Sequence, residues 1–275
     1  MDLIEKKKAL LSHIKDLMSE DCLLAFSGGV DSSLLLKLCC DAADSTGRRV
    51  YAVTIHTKLH PKGDLTIAKK VAQEAGAFHQ VLYIDELEEA GIRFNPVDRC
   101  YLCKKSFFQK LIRKAEELNI RTIIEGTNED DLHVYRPGIR ALKELGILSP
   151  LAMLGINKKE VRELAAEYGI SVADRPGAPC MATRFPYGTE LNYDFIEKVE
   201  KAEDFIRELG FYNVRLRVHG NIARIETDEC SMPDLLEKKD IVIPELKKYG
   251  FDYITMDLDG FRSGSMDIHL SKDSD

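Results

Sequence analysis

The sequence predicts an α/β protein built on a parallel sheet and followed by a smaller α+β unit. Three observations carry that reading. Short apolar runs alternate with helix-length amphipathic stretches through the first part of the chain, a glycine- and serine-rich turn joins the first such strand to its helix, and a proline-rich stretch then ends the alternation. With 275 residues and 44% hydrophobic content, the chain is long enough to bury two cores.

A first amphipathic helix is expected over about 3–18. Strand Leu23–Phe26 then precedes helix 32–43, Val50–Ile55 precedes helix 63–75, and Gln80–Ile84 precedes a helix over about 101–118. Strand Arg121–Gly126 follows, then strand Ile147–Leu151 and helix 157–169. Such alternation requires right-handed crossovers and places ligands at the carboxyl ends of the strands. It stops at Ala173-Asp174-Arg175-Pro176-Gly177-Ala178-Pro179-Cys180, where proline and glycine interrupt both regular structures. Beyond it come helix 193–209, two alternating strands within 214–226 around Gly220-Asn221, helix 234–249 and strand Tyr253–Leu258. That order is a small α+β unit of ferredoxin-like type, so the boundary is placed near 188, with domains 1–188 and 189–275.

Lys and Arg number 39 against 46 Asp and Glu, a net charge of −7, and the longest basic run is Lys6-Lys7-Lys8. A small-molecule partner is therefore expected and nucleic acid is not. No signal peptide or membrane span is expected. Seven cysteines without a regular framework point to a reducing compartment, the cytoplasm.

The turn is Ser27-Gly28-Gly29-Val30-Asp31-Ser32-Ser33. Its glycines let backbone N–H groups approach an anion at a helix N-terminus, and its serines add hydroxyl donors. A nucleoside triphosphate, ATP, is the implied ligand, and no lysine follows the glycines to hold a γ-phosphate during its transfer. At the end of a later strand, Glu125-Gly126-Thr127-Asn128-Glu129-Asp130-Asp131 offers carboxylates to Mg²⁺, although Asn and Asp there also serve as ordinary turn and cap residues. Gly126, Thr127, Asn128 and Asp131 join the loop as candidate nucleotide contacts, and Asp31 as a candidate Mg²⁺ ligand. Arg136, in Tyr135-Arg136-Pro137-Gly138-Ile139-Arg140, suits an anionic substrate or departing pyrophosphate.

Cys100 and Cys103 form a C-x-x-C at a helix start, where the helix dipole and neighbouring Arg99, Lys104 and Lys105 favour the thiolate. Cys180 lies in the proline-rich loop. Cys22, Cys39, Cys40 and Cys230 read as small apolar fillers or isolated thiols without a role. For the C-x-x-C, a zinc site, a redox pair, an iron–sulfur site and incidental spacing all remain open. Zinc lacks a second C-x-x-C, and three cysteines can hold a [4Fe–4S] cluster with one iron open.

The turn at 27–33, Gly126-Thr127-Asn128 with Asp130-Asp131, Tyr135–Gly138, Ser149-Pro150-Leu151, Cys180 with Arg184-Phe185-Pro186-Tyr187-Gly188, and Gly260-Phe261-Arg262-Ser263-Gly264-Ser265-Met266 together resemble the LarE family. These are PP-loop ATP pyrophosphatases that transfer sulfur during nickel-pincer nucleotide synthesis. The resemblance runs from about 20 to 268 and implies a PP-loop fold for the first domain. It also implies ATP-dependent adenylylation of a carboxylate on a pyridinium mononucleotide, then displacement of AMP by sulfur. In single-cysteine members the thiol matching Cys180 is sacrificed. The additional Cys100 and Cys103 instead favour sulfide delivered on a [4Fe–4S] cluster held by all three cysteines. Arg215, Arg217, Arg184 and Arg262 are the implied substrate arginines, and Glu203 and Asp234 an implied metal pair. A homo-oligomer is also implied. The alternatives are a tRNA thiolase, which should carry a basic RNA surface, an amidating ligase of the NAD- or GMP-synthetase type, which would leave the cysteines idle, and a nucleotide-sensing module.

Overall fold

Strand β1 (Cys22–Ala25) pairs in parallel with β2 (Val50–His56) on one side and β4 (Thr122–Ile124) on the other, and β2 pairs in parallel with β3 (Phe78–Tyr83). This is a computed structural model, and it describes all residues except 62, 135, 176, 178, 263, 264 and 266–275. Tyr135, Pro176, Ala178, Ser263, Gly264 and Met266 of the motifs above thus lie outside the described residues. Among the described residues the strands form two sheets, the first ordered β3-β2-β1-β4 and the second made of three strands farther along the chain.

The first sheet is covered on both faces, which is why its central strand is apolar throughout. On one face Cys22, Leu24 and Ala52 pack with Leu10 and Ile14 of α1 (Leu3–Leu17), with Leu35 and Leu38 of α2 (Val30–Thr46), and with Val161 and Leu164 of a later helix. On the other face Leu23, Val53 and Ile123 meet Phe108 and Leu111. Each fully buried leucine contributes roughly 1.5–3 kcal/mol through removal from water. Helix α1 starts at a capping box between Asp2 and Glu5, and α2 ends at left-handed Gly47.

Helix α3 (Gly63–Glu74) and the short α4 (Glu86–Glu89) precede α5 (Arg99–Glu117), which opens on the C-x-x-C. After β4 come α6 (Gly138–Glu144), α7 (Pro150–Met153) and α8 (Lys158–Glu167). The expected strand Ile147–Leu151 is corrected here. Leu148 makes only a bridge to Ile124, and Pro150, which has no N–H to give a ladder, starts α7 instead. Helix α8 is capped by a box between Asn157 and Glu160.

The second unit contains α9 (Tyr193–Glu208), β5 (Val214–His219), β6 (Ile222–Thr227), α10 (Met232–Glu237), α11 (Lys239–Lys248) and β7 (Tyr253–Met256). The expected single helix 234–249 is two, meeting at Lys238. β5 and β6 form an antiparallel hairpin, and β7 adds to β6 in parallel. The chain divides into Met1–Ile92 with Asp98–Ala178, and Arg93–Val97 with Pro179–Asp275. One break falls at 178/179, and the turn after Cys180 is held by α9 and β5. Among the described residues no helix is long and apolar enough to cross a membrane.

Candidate functional site

In the first unit a cavity of about 490 Å³ opens at the carboxyl ends of the strands. It is lined by Ser27, Gly29 and Asp31, by Asn128, Asp130, Asp131 and Arg136, and by residues from β2, α3 and α8. Gly28 has φ +73°, and a Cβ there would stand 2.8 Å from the Ala68 backbone in α3. Only glycine fits that position. Ser27 Oγ and Ser32 Oγ lie 3.1 Å apart, Gly29 N donates to Ser27 Oγ at 3.3 Å, and Ser33 Oγ is buried without a protein partner. These hydroxyls and the first N–H groups of α2 form an anion cradle.

The second motif docks directly on the first. Gly126 is so close to α2 that a Cβ would lie 2.9 Å from Ser32 N. Asn128 donates from Nδ2 to Asp31 Oδ1 at 3.0 Å, and Asn128 and Asp131 exchange backbone-to-side-chain bonds at 3.2 and 3.3 Å. Burial pushes the Asp131 carboxyl up, opposed by Arg136, whose Nη2 is 2.9 Å from Oδ1. Thr127 does not line the cavity. Its N–H and hydroxyl donate to buried Glu125, which also meets Ser149 and Lys104 of α5. Asp31, Asp130 and Asp131 present oxygen ligands, as a hard cation prefers. Among the described residues no group of three His, Cys, Asp or Glu forms a metal cage. Mg²⁺ suits such a place, since it keeps waters and takes its remaining ligands from phosphates.

Cys100 is exposed and Cys103 half-buried, one turn apart at the start of α5, so they share a face of the helix. Gly138 lets α6 pack on that turn, since a Cβ would come within 2.8 Å of Lys104 Cγ and 3.3 Å of Cys100 O. Cys180 is half-buried and belongs to the second unit.

Three of the expected arginine and metal residues in the second unit are paired with one another or with neighbouring groups. Arg184 is 2% exposed and forks onto Glu203, Nε to Oε1 and Nη2 to Oε2, both at 2.8 Å. Glu203 is 1% exposed and also accepts from Arg207 Nη2 at 2.7 Å and Leu216 N at 2.9 Å. Burial alone would raise its pKa, but the charge and hydrogen bonds of Arg184, then Leu216 N–H and Arg207, hold it below the ordinary carboxylate value. Both oxygens are thus engaged by arginines and by the Leu216 N–H. Arg217 is likewise engaged, by Glu226 (2.9 Å) and by Thr183 O (2.8 Å). Asp234 stands in the first turn of α10. Arg262 faces Asp257 and Asp259 at 3.4 and 2.8 Å.

Arg215 differs from these. Its guanidinium lies 5.1 Å from the Phe261 ring, and Nη1 donates to Val214 O at 2.8 Å. Burial, and then the repulsion of Arg184, lower its pKa to about 10, with Glu203 opposing and Arg207 and Arg217 adding to the fall. A half-buried cation among cations is an anion-seeking group.

A PP-loop domain model matches residues 3–140. The chain is 39% identical to the pyridinium-3,5-bisthiocarboxylic acid mononucleotide synthase of Lactiplantibacillus plantarum, over 98% of this chain and 96% of that protein. The chain belongs to the LarE family. It is an ATP-dependent sulfurtransferase of the PP-loop class. An uncharacterised protein of Synechocystis is 38% identical over 91% of this chain and 93% of its own length. A tRNA-specific 2-thiouridylase of Rickettsia bellii is 29% identical over 56% of this chain and 51% of its own.

Several residues of this LarE-family cavity escaped the sequence reading. Lys158 pairs through Nζ with Asp31, and its N–H donates to Asp130 Oδ2 at 2.9 Å. Arg175 pairs with Asp64, closing one wall, and His60 is kept neutral by burial, with Nδ1 3.1 Å from Thr57 Oγ1. The Asn157 capping signal was the available clue to Lys158, since Asn157 caps the helix that Lys158 begins.

Proposed function

We propose that this chain converts a carboxylate of a pyridinium mononucleotide to a thiocarboxylate, at the cost of ATP cleaved to AMP and pyrophosphate. The observation that carries the reading is the extent of the relationship to the bisthiocarboxylic mononucleotide synthase, 98% of the chain, whereas likeness to the tRNA thiouridylase reaches 56%. The net charge of −7 also weighs against an RNA substrate.

In the first step the substrate carboxylate oxygen attacks the α-phosphorus and pyrophosphate leaves. The loop at Ser27–Ser33, Lys158 and Arg136 bind and orient the phosphates, donating into the charge that grows on the leaving group. Mg²⁺ would be held by Asp31, with Asp131 nearby, and would neutralise phosphate charge. Arg215 anchors the nucleotide phosphate of the substrate.

Sulfur then displaces AMP. We read Cys100, Cys103 and Cys180 as the sulfur-delivering set. The first two thiols stand on one turn of α5, and Cys180 belongs to the second unit. A [4Fe–4S] cluster on three thiolates leaves one iron open to sulfide. In the alternative route the Cys180 thiolate forms the thioester itself. Loss of its Cα proton to a base then expels the thiocarboxylate with the Cβ–Sγ electron pair, leaving dehydroalanine.

The test is anaerobic purification followed by turnover with ATP and the pyridinium-3,5-dicarboxylate mononucleotide. Iron and acid-labile sulfide with unchanged protein mass support cluster delivery. A mass loss of one H₂S without iron supports sacrifice of Cys180. Absence of thiocarboxylate product with AMP release only on tRNA would replace the reading by the thiolase one. Self-assembly, also proposed, is measured by light scattering.

A further inference from the structure

Cys180 is half-buried. The main chain of the turn it begins is held from two directions. On one side, Thr183 Oγ1 donates to Cys180 O at 2.7 Å, and Arg184 Nη1 reaches Thr183 Oγ1 at 3.0 Å, Pro179 O at 3.3 Å and Cys180 O at 3.5 Å. That guanidinium is in turn locked by its fork on Glu203, which is bound to β5 through Leu216 N–H. On the other side, Asn95 is 0% exposed, with φ +44°. Its side-chain amide donates to Phe185 O at 3.0 Å and Pro186 O at 2.9 Å, and approaches Ala182 O at 3.4 Å. Its own carbonyl accepts from Gly188 N at 3.1 Å.

A buried guanidinium, its carboxylate and a left-handed asparagine are an expensive set of groups to devote to one short turn. We infer that Arg184, with Glu203 behind it, and Asn95 are positioning residues that fix the Cys180 turn relative to the β5 arginines. Arg217 Nη1 completes the frame by donating to Thr183 O at 2.8 Å, so the strand that carries Arg215 and the turn that carries Cys180 are bonded through Glu203 and through Arg217. The phosphate anchor and the sulfur-bearing residue thereby share one rigid support. This inference rests on the proposed role of Cys180 in sulfur delivery.

The experiment compares wild type with Arg184→Lys, Asn95→Ala and Thr183→Val in the full chain. Lysine keeps the charge of Arg184 but not its fork. Thiocarboxylate formation should fall about tenfold or more in kcat, with KM for ATP within about twofold of wild type, because displacement of a reacting group by an ångström costs rates of that order. The second readout is the rate of iodoacetamide labelling at Cys180, resolved by peptide mass, against exposed Cys230 in the same unit. The ratio should rise about threefold or more as the turn loosens. Unchanged labelling ratios in soluble variants would overturn the inference, whatever happens to kcat. If Arg184→Lys does not fold, Thr183→Val, which removes one hydroxyl, decides by the same ratio. Cys180→Ala separates the two ideas. Full sulfur transfer in that variant would remove the role of Cys180, while the labelling ratios of the variants that keep Cys180 would still report on the clamp.

Discussion

The side-chain amide of Asn128 donates to Asp31 Oδ1 while Lys158 Nζ pairs with Asp31 Oδ2, so one carboxylate at the head of α2 gathers the turn after β4 and the start of α8. The cation of Lys158 is thus held at the phosphate loop. Bound triphosphate offers it a richer anionic partner. Lys158→Ala should raise KM for ATP about tenfold, the worth of one charge-assisted hydrogen bond. Titration with ATP under pyrophosphate-release conditions checks it, and an unchanged KM would remove Lys158 from the site.

Gly126 leaves no room for a side chain against Ser32 N. Gly126→Ala should push β4 off the head of α2, costing about 1–3 kcal/mol in urea melts and weakening ATP binding by calorimetry. An alanine variant with wild-type melting and ATP affinity would refute the close docking.

Glu203 contributes through a lowered pKa, so the sign is fixed. Its stabilisation is complete above the ordinary carboxylate value near 4.3 and is lost as pH falls through its lower folded value. Wild type should hold this contribution at neutral pH and release it only in acid. Glu203→Gln strands Arg184 and Arg207 and should lose about 3–5 kcal/mol at pH 7. Denaturant melts of both proteins at pH 7 and pH 3.5 measure it, and the gap between them should narrow at the lower pH.

Arg215 is the anion-seeking arginine of the second unit. Added sulfate should raise the wild-type melting temperature by mass action, and Arg215→Met should abolish most of that shift while raising KM for the mononucleotide. Equal sulfate response in both proteins would place the phosphate elsewhere.

The parts of this molecule legible in the sequence are those whose chemistry is local. Seven consecutive residues make the phosphate loop, and its flanking strand and helix follow from apolar periodicity alone. What escaped depends on partners brought from afar. Arg184 and Arg217 looked available because alternation and spacing show side-chain direction, not company. Their carboxylates lie 19 and 9 residues away and meet them only in the folded unit. Ile147 and Leu148 looked like a strand because a short apolar run does not distinguish a ladder from a single bridge. Lys158 escaped for the opposite reason, as a lysine in a charged helix start reads as solvated surface until Asp31 is placed beside it.

Residues 93–97 belong with the second unit although the first unit surrounds them in the chain, so the polypeptide passes between units at 92/93, 97/98 and 178/179. Neither unit is therefore a cassette. A single protease cut at 178/179 would leave the carboxyl-terminal piece attached through non-covalent bonds to Asn95, and a gene fragment beginning at Pro179 would lack the asparagine that shapes its cysteine turn. Shuffling either half into another enzyme would have to carry that five-residue loan along with it.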